Sequence, residues 1–275
     1  MGAGFLTFLL ASTITVADAG DTREPTPDQA VLQAWEKATN YRYNEAYRAF
    51  LRLKKSAATS IHREAAFGEA LMLLNVQPKT AGNINRAREL FITIESAGIE
   101  DDFAIQALYY TGRIFQTHQR VTDYENAARF FLRAIERAPD HAFGQLAVVK
   151  LANVWLYEPV PKSVKLERYG KLRELGENLT FRPARRDFNY VMGVACLCFD
   201  ISEERAIEHL KDLEQVGLHQ PRSLSSLYAR IGETARKIGD NATAREYFQK
   251  FLDEFPRELR TQLVRDRLNL VETQP

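Results

Sequence analysis

Residues 123–142, DYENAARFFLRAIERAPDHA, read as one amphipathic helix with a definite stop. Ala127 is followed four residues later by Phe131, then by Ala134, and Pro139 closes the run eight residues after the ring. The pattern returns near the C-terminus, where Ala244 precedes Phe248 by four residues and Pro256 follows that ring by eight. A helix that seats against a partner on one side and the next unit on the other needs a small residue, a ring and a terminator in that order. A chain that repeats such a helix is built by stacking.

Each of these helices is preceded by another that carries a glycine. Gly112 in LYYTGRIF lies fifteen residues before Ala127, and Gly232 lies twelve before Ala244. The same pair recurs with variation: Gly68 then Ala87 and Phe91, Gly193 then Ala206 and Leu210, and first of all Ala34 then Ala46 and Phe50. Ala152 takes the glycine's place in KLANVWLY. The small residues at 68, 112, 152, 193 and 232 are spaced by 44, 40, 41 and 39. Six helical hairpins therefore fill residues 28–256, and RELRTQLVRDRLNLV follows as a further helix. Ser202 and Asp240 stand where N-caps are expected. In the last helix Leu259, Leu263 and Leu268 form one edge, which predicts a cap that covers the final hairpin.

These residues resemble the tetratricopeptide repeat family. The likeness rests on Leu108, Gly112, Phe115, Ala127, Phe131, Ala134 and Pro139, and on Tyr228, Ile231, Gly232, Ala244, Phe248 and Pro256. It implies an all-α fold, an α-solenoid of about six antiparallel hairpins with a C-terminal capping helix. The period departs from the family's repeat of about 34 residues, with the surplus placed in turns such as 75–83 and 116–122. HEAT-type repeats, whose period is nearer, are the architectural alternative. The fourth unit fits least well, because Gly170 stands where a ring is expected, so a bend or looser packing is expected there.

The first seventeen residues carry no charged side chain, and Ala17-Asp18-Ala19 makes a small-x-small site. That is the shape of a secretory signal, although no Lys or Arg precedes the apolar run. The division is therefore a signal at 1–19, a polar linker at 20–27, repeats at 28–256, and a capping helix and tail at 257–275. Periplasmic or secreted location is expected, with an uncleaved anchor or a cytoplasmic protein as alternatives. No later segment has the length and apolarity of a membrane span; the uncharged run 188–199 reads as a buried core helix.

Net charge is +1, from 37 basic and 36 acidic residues, which argues against a nucleic-acid binder. Cys196 and Cys198, two apart on a helix, point in different directions and read as free thiols. The histidines at 62, 118, 141, 209 and 219 have no second ligand at metal spacing, so neither a metal nor a cofactor is expected. Asn178 and Asn241 head glycosylation sequons that matter only in a eukaryotic secretory pathway. Glu95 in IESAG invites comparison with exported lytic transglycosylases, but their downstream glycine-rich signature is missing, and a solvated helix-end residue is expected. In FRPARRDFNY, residues 181–190, three arginines interleave with rings, either as a grip for an acidic group or as the basic start of a helix with buried rings.

In a stack of hairpins the first helices line the concave side. Under the family geometry, groove positions lie three before and one after each small residue. They include Tyr109, Arg113, Val149, Asn153, Tyr190, Ala229 and Glu233. Tyr109, Arg113, Asn153, Tyr190 and Glu233 have side chains suited to hold an extended peptide. The expected function is an exported, non-enzymatic scaffold that binds a protein or peptide, in the manner of an envelope adaptor. The alternatives are a cell-wall glycan enzyme framed by the repeats, or a structural subunit of an envelope complex.

Overall fold

The computed structural model describes residues 25–55, 61–218, 220 and 223–273. The expected signal at 1–19 lies outside them, as does His219. Among the described residues there are thirteen α-helices, one π-helical turn and no strand. The chain divides into two compact units, Met1–Phe130 and Phe131–Pro275. The division falls inside the helix Tyr124–Arg137.

In the first unit the helices are α1 (Pro27–Thr39), α2 (Tyr43–Leu53), α3 (His62–Leu73), α4 (Ala81–Ser96) and α5 (Asp102–Arg113). The π turn Ile114–His118 continues α5, and α6 (Tyr124–Arg137) begins after it. Starts are set by side chains. Thr26 and Gln29 form a capping box on α1, Thr80 accepts from the Asn83 N–H, and Asp101 accepts from the Ala104 N–H. Antiparallel neighbours pack through rings. Trp35 meets Phe50 edge-on at 4.8 Å, and Phe67 reaches Phe91 at 5.5 Å, Phe103 at 5.3 Å and Tyr110 at 6.0 Å. Phe50, Phe67 and Phe91 are fully buried, and each such ring stabilises by about 1.5–3 kcal/mol through lost apolar exposure. Gly68 shows why the small residue is required: a Cβ there would come within 2.5 Å of the Phe50 ring. That ring belongs to the preceding hairpin, so here the glycine serves the joint between repeats.

The second unit contains the rest of α6, then α7 (Ala142–Tyr157), α8 (Lys162–Glu177), α9 (Arg182–Cys198), α10 (Glu203–Val216), α11 (Leu224–Lys237), α12 (Asn241–Glu254) and α13 (Thr261–Glu272). Pro139 and Pro256 stand two residues past α6 and α12, as terminators should. Ser202 and Asp240 cap α10 and α12 by accepting from the N–H groups of Arg205 and Thr243. A Cβ on Gly193 would press to 3.0 Å from Leu210, and one on Gly232 to 2.6 Å from Phe248. In both cases the partner is the second helix of the same hairpin. Cys196 is buried and Cys198 exposed, both free.

One expectation is met in part in this unit and another is corrected. The fourth hairpin is not broken at Gly170, since α8 runs unbroken and Tyr169, one residue earlier, supplies a buried ring. The looser packing expected there is present: only Lys165, Tyr169 and Leu172 of α8 are buried, and a Cβ on Gly170 would meet nothing within 4 Å. Its partner α7 is apolar on nearly every side because it packs against both α8 and α9. At the C-terminus, α13 packs through Thr261, Val264, Leu268 and Val271, whose spacing makes one helical stripe. Leu259 precedes the helix and is fully exposed, and Leu263 is 52% exposed on the other side. Of the expected edge only Leu268 faces the core.

Candidate functional site

Helices α7, α9 and α11 are the first helices of successive hairpins in the second unit, and their open sides carry the side chains available to a partner. Tyr190 on α9 is 53% exposed, Tyr157 at the end of α7 is 41% exposed, and Arg230 on α11 is exposed. Burial is the main cause that raises the Tyr157 phenol above its ordinary pKa; neighbouring Cys198 and Tyr190 add to the rise and Arg230 opposes it. Cys198, Tyr190 and Arg230 are therefore each within electrostatic reach of Tyr157. Phe199 packs edge-on against Tyr157 at 5.1 Å and fixes its ring. Two tyrosines with apolar faces and polar tips beside a guanidinium form a surface that stacks on side chains and hydrogen-bonds to backbone.

The residues selected by position fare unequally. Tyr190 is placed on this surface. Asn153 is half-buried, four residues before Tyr157, and its Nδ2 donates to the Val149 carbonyl at 2.9 Å. Glu233 is committed elsewhere: its carboxylate holds Arg236 and, from α13, Arg267, each at 3.1 Å. It fastens the last helix to its hairpin. Arg113 is half-buried in the first unit. Tyr109 is only 2% exposed, edge-on to Tyr110 at 5.3 Å, so its ring lies in packing and offers no open face. Val149 is buried in the same way and Ala229 partly. Three residues before the small position is thus an open site only on α9, the one first helix with a large polar-tipped side chain there that the packing leaves uncovered. Tyr157 and Arg230 escaped the positional rule. Helical spacing from Asn153 to Tyr157 is the signal that identifies the first.

Other sequence candidates resolve into structure. In the 181–190 cluster, Arg182 Nε donates to the Val216 carbonyl at 3.0 Å, Arg186 pairs with Asp187 at 2.8 Å, and Phe188 is buried where a Cβ on Gly176 would collide with it. Glu95 is not solvated; it is 9% exposed and accepts from Ser96 Oγ. Three further polar groups were not anticipated. His209 Nδ1 donates to Asn189 Oδ1 at 2.9 Å, and its Nε2 accepts from the Tyr169 hydroxyl at 3.1 Å. Lys165 donates from α8 to the Leu156 and Glu158 carbonyls at the end of α7, with its ammonium 4.2 Å from the Phe199 ring centre. Gln145 accepts from the N–H groups of Thr180 and Phe181 and donates to Thr180 Oγ1. Among the described residues no group of three or more His, Cys, Asp or Glu is placed to hold a metal ion, and no helix is long and apolar enough to cross a membrane.

The helices α11 and α12, with Gly232 seated on Phe248, correspond to the match between residues 230–257 and the tetratricopeptide repeat family model. The chain is TPR-like. Its fold is similar to two solved structures. One is Pseudomonas aeruginosa PilF, at 16% identity over 87% of this chain and 96% of that one, with a TM-score of 0.53. The other is PilW, described as a widely conserved type IV pilus biogenesis factor, at 13% identity over 91% of this chain and 100% of that one, with a TM-score of 0.54. No curated protein matches the sequence.

Proposed function

We propose that this chain is an exported scaffold of the cell envelope that holds a protein or peptide partner on the first-helix side of its second unit. The observation that carries the reading is the Tyr157–Tyr190–Arg230 surface: large side chains left open on helices whose other faces are closed by packing. Stacking on the two rings and a charge-assisted bond to Arg230 would seat an extended segment across three helices. The uncharged run at 1–17 with its small-x-small site supports export. The fold shared with a pilus biogenesis factor is in keeping with an envelope role.

The test is capture from an envelope extract of the native host, with mass spectrometry of the partner and of the mature N-terminus. Tyr190→Ala combined with Arg230→Ala should cut capture at least tenfold and leave helicity and Tm within a few degrees. Normal capture by the double variant would refute the surface, and a mature chain beginning at Met1 would refute export by cleavage.

A further inference from the structure

Tyr157, one of the two rings of the recognition surface, is the last residue of α7. A helix end leaves its final carbonyls without partners inside the helix, and such ends fray. A ring carried there is poorly fixed unless another element holds the backbone beneath it. Helix α8 does so. Lys165 donates to the Leu156 carbonyl and, at 2.6 Å, to the Glu158 carbonyl, the residues on either side of Tyr157. Arg168, three residues on, donates to the Trp155 carbonyl at 3.0 Å and to the Glu158 carboxylate at 2.6 Å. The same Lys165 ammonium lies 4.2 Å from the centre of the Phe199 ring. That ring meets Tyr157 edge-on, with centroids 5.1 Å apart and planes at 82°. Asp200, the residue after Phe199, is held by Lys162 at 2.7 Å.

A lysine only 7% exposed calls for an explanation, because desolvating an ammonium is costly. A methionine would fill the same space without that cost. What the lysine adds is direction: two bonds to carbonyls and a charge set against a ring. We infer that Lys165 is a positioning residue for the recognition surface, holding the backbone under Tyr157 and, through Phe199, the orientation of the tyrosine ring itself. A ring fixed before binding loses less freedom when a partner stacks on it, which is the gain from preorganisation. The role also accounts for α8, which buries only Lys165, Tyr169 and Leu172 yet grips the end of α7 through Lys165 and Arg168. Lys165 matters to binding only if the Tyr157–Tyr190–Arg230 reading holds, whereas the brace on the ring stands without it.

The measurement is the ring order of Tyr157 in the free full chain, from carbon relaxation of protein labelled at the tyrosine ε carbons, with the signal assigned by Tyr157→Phe. Lys165→Met should lower the Tyr157 order parameter by about a third and leave Tyr190, which α8 does not brace, at its parent value. Phe199→Leu removes the ring link but keeps both carbonyl bonds, and should loosen Tyr157 in the same selective way. An unchanged Tyr157 in Lys165→Met, or equal losses at Tyr157 and Tyr190, would overturn the brace. If Lys165→Met does not fold, Phe199→Leu decides by the same comparison. Capture from the envelope extract separates the brace from the surface it serves. Tyr157→Ala and Lys165→Met should each weaken capture several-fold, and the two together no further. A loss in Tyr157→Ala that Lys165→Met does not share would overturn the positioning role. Normal capture by Tyr157→Ala would instead refute the surface at Tyr157, and with it the use of the brace, whatever the ring order shows.

Discussion

The hairpins α11–α12 and α7–α8 solve one packing problem by different means. In α11–α12 the contact is steric: Gly232 leaves room for the buried Phe248 ring, and a Cβ would stand 2.6 Å from it. In α7–α8 the small residue is Ala152 and no ring is matched to it in the expected register. Directional bonds take over, with Lys165 on the Leu156 and Glu158 carbonyls and Arg168 on the Trp155 carbonyl at 3.0 Å and the Glu158 carboxylate at 2.6 Å. Those donors satisfy carbonyls that a helix end leaves unpaired. Shape complementarity needs particular side-chain volumes, while polar anchoring needs only donors of adequate reach. The two kinds of hairpin should therefore fail under different perturbations.

The largest effect is expected from Phe248→Ala, which opens a cavity in the sterically packed hairpin and should cost about 3–5 kcal/mol in urea unfolding. A loss below about 1 kcal/mol would show that the glycine–ring contact is dispensable.

Acid should act mainly on the polar side of the comparison. His209 joins Tyr169 of α8 to Asn189 of α9, and burial holds its imidazole at about 4, against the ordinary 6.5. Arg173 and Arg205 lower it further and Glu208 opposes them. The unfolded chain therefore takes up a proton that the folded chain resists. The stabilisation is fully present above pH 6.5 and is lost as pH falls toward 4, on the order of 2–3 kcal/mol. His118 adds a loss of the same sign in the first unit. Urea midpoints between pH 7 and 4.5 should fall less steeply in His209→Gln than in the parent; equal slopes would remove His209 from the account.

The smallest effects give the sharpest contrast, because one substitution should change sign between the two hairpins. Gly232→Ala should destabilise by about 1–3 kcal/mol through overpacking against Phe248. Gly170→Ala meets nothing within 4 Å and should stabilise by about 0.5–1 kcal/mol, since alanine is the better helix former. Thermal melts of the two variants check the pair.

The same contrast explains what could be read in advance. Gly232, Phe248 and Pro256 have sizes and spacings that a sequence displays directly, so the hairpins, their ends and the Ser202 and Asp240 caps were legible. Tyr169 was missed in favour of Gly170 because a one-residue offset on a helix turns a side chain by about 100°, which the expected register did not allow. The recognition surface was legible only at Tyr190. Tyr109 occupies the equivalent position, yet packing covers it, and no pattern along the chain distinguishes the two. Glu233 had the right place and polarity, and its i,i+3 partner Arg236 was visible along the chain, but the pairing with Arg267 of α13 is invisible until the helices are assembled.

The widened turn at Ile114–His118 holds one residue more than an α-helical turn of the same reach. It works as a phase adjuster in the course of the chain. Removing a single residue there would restore the tighter winding and swing everything after it by roughly a quarter of a revolution. Length in this segment is accordingly under a constraint that residue type alone does not express, and insertions or deletions there should be tolerated far less well than substitutions.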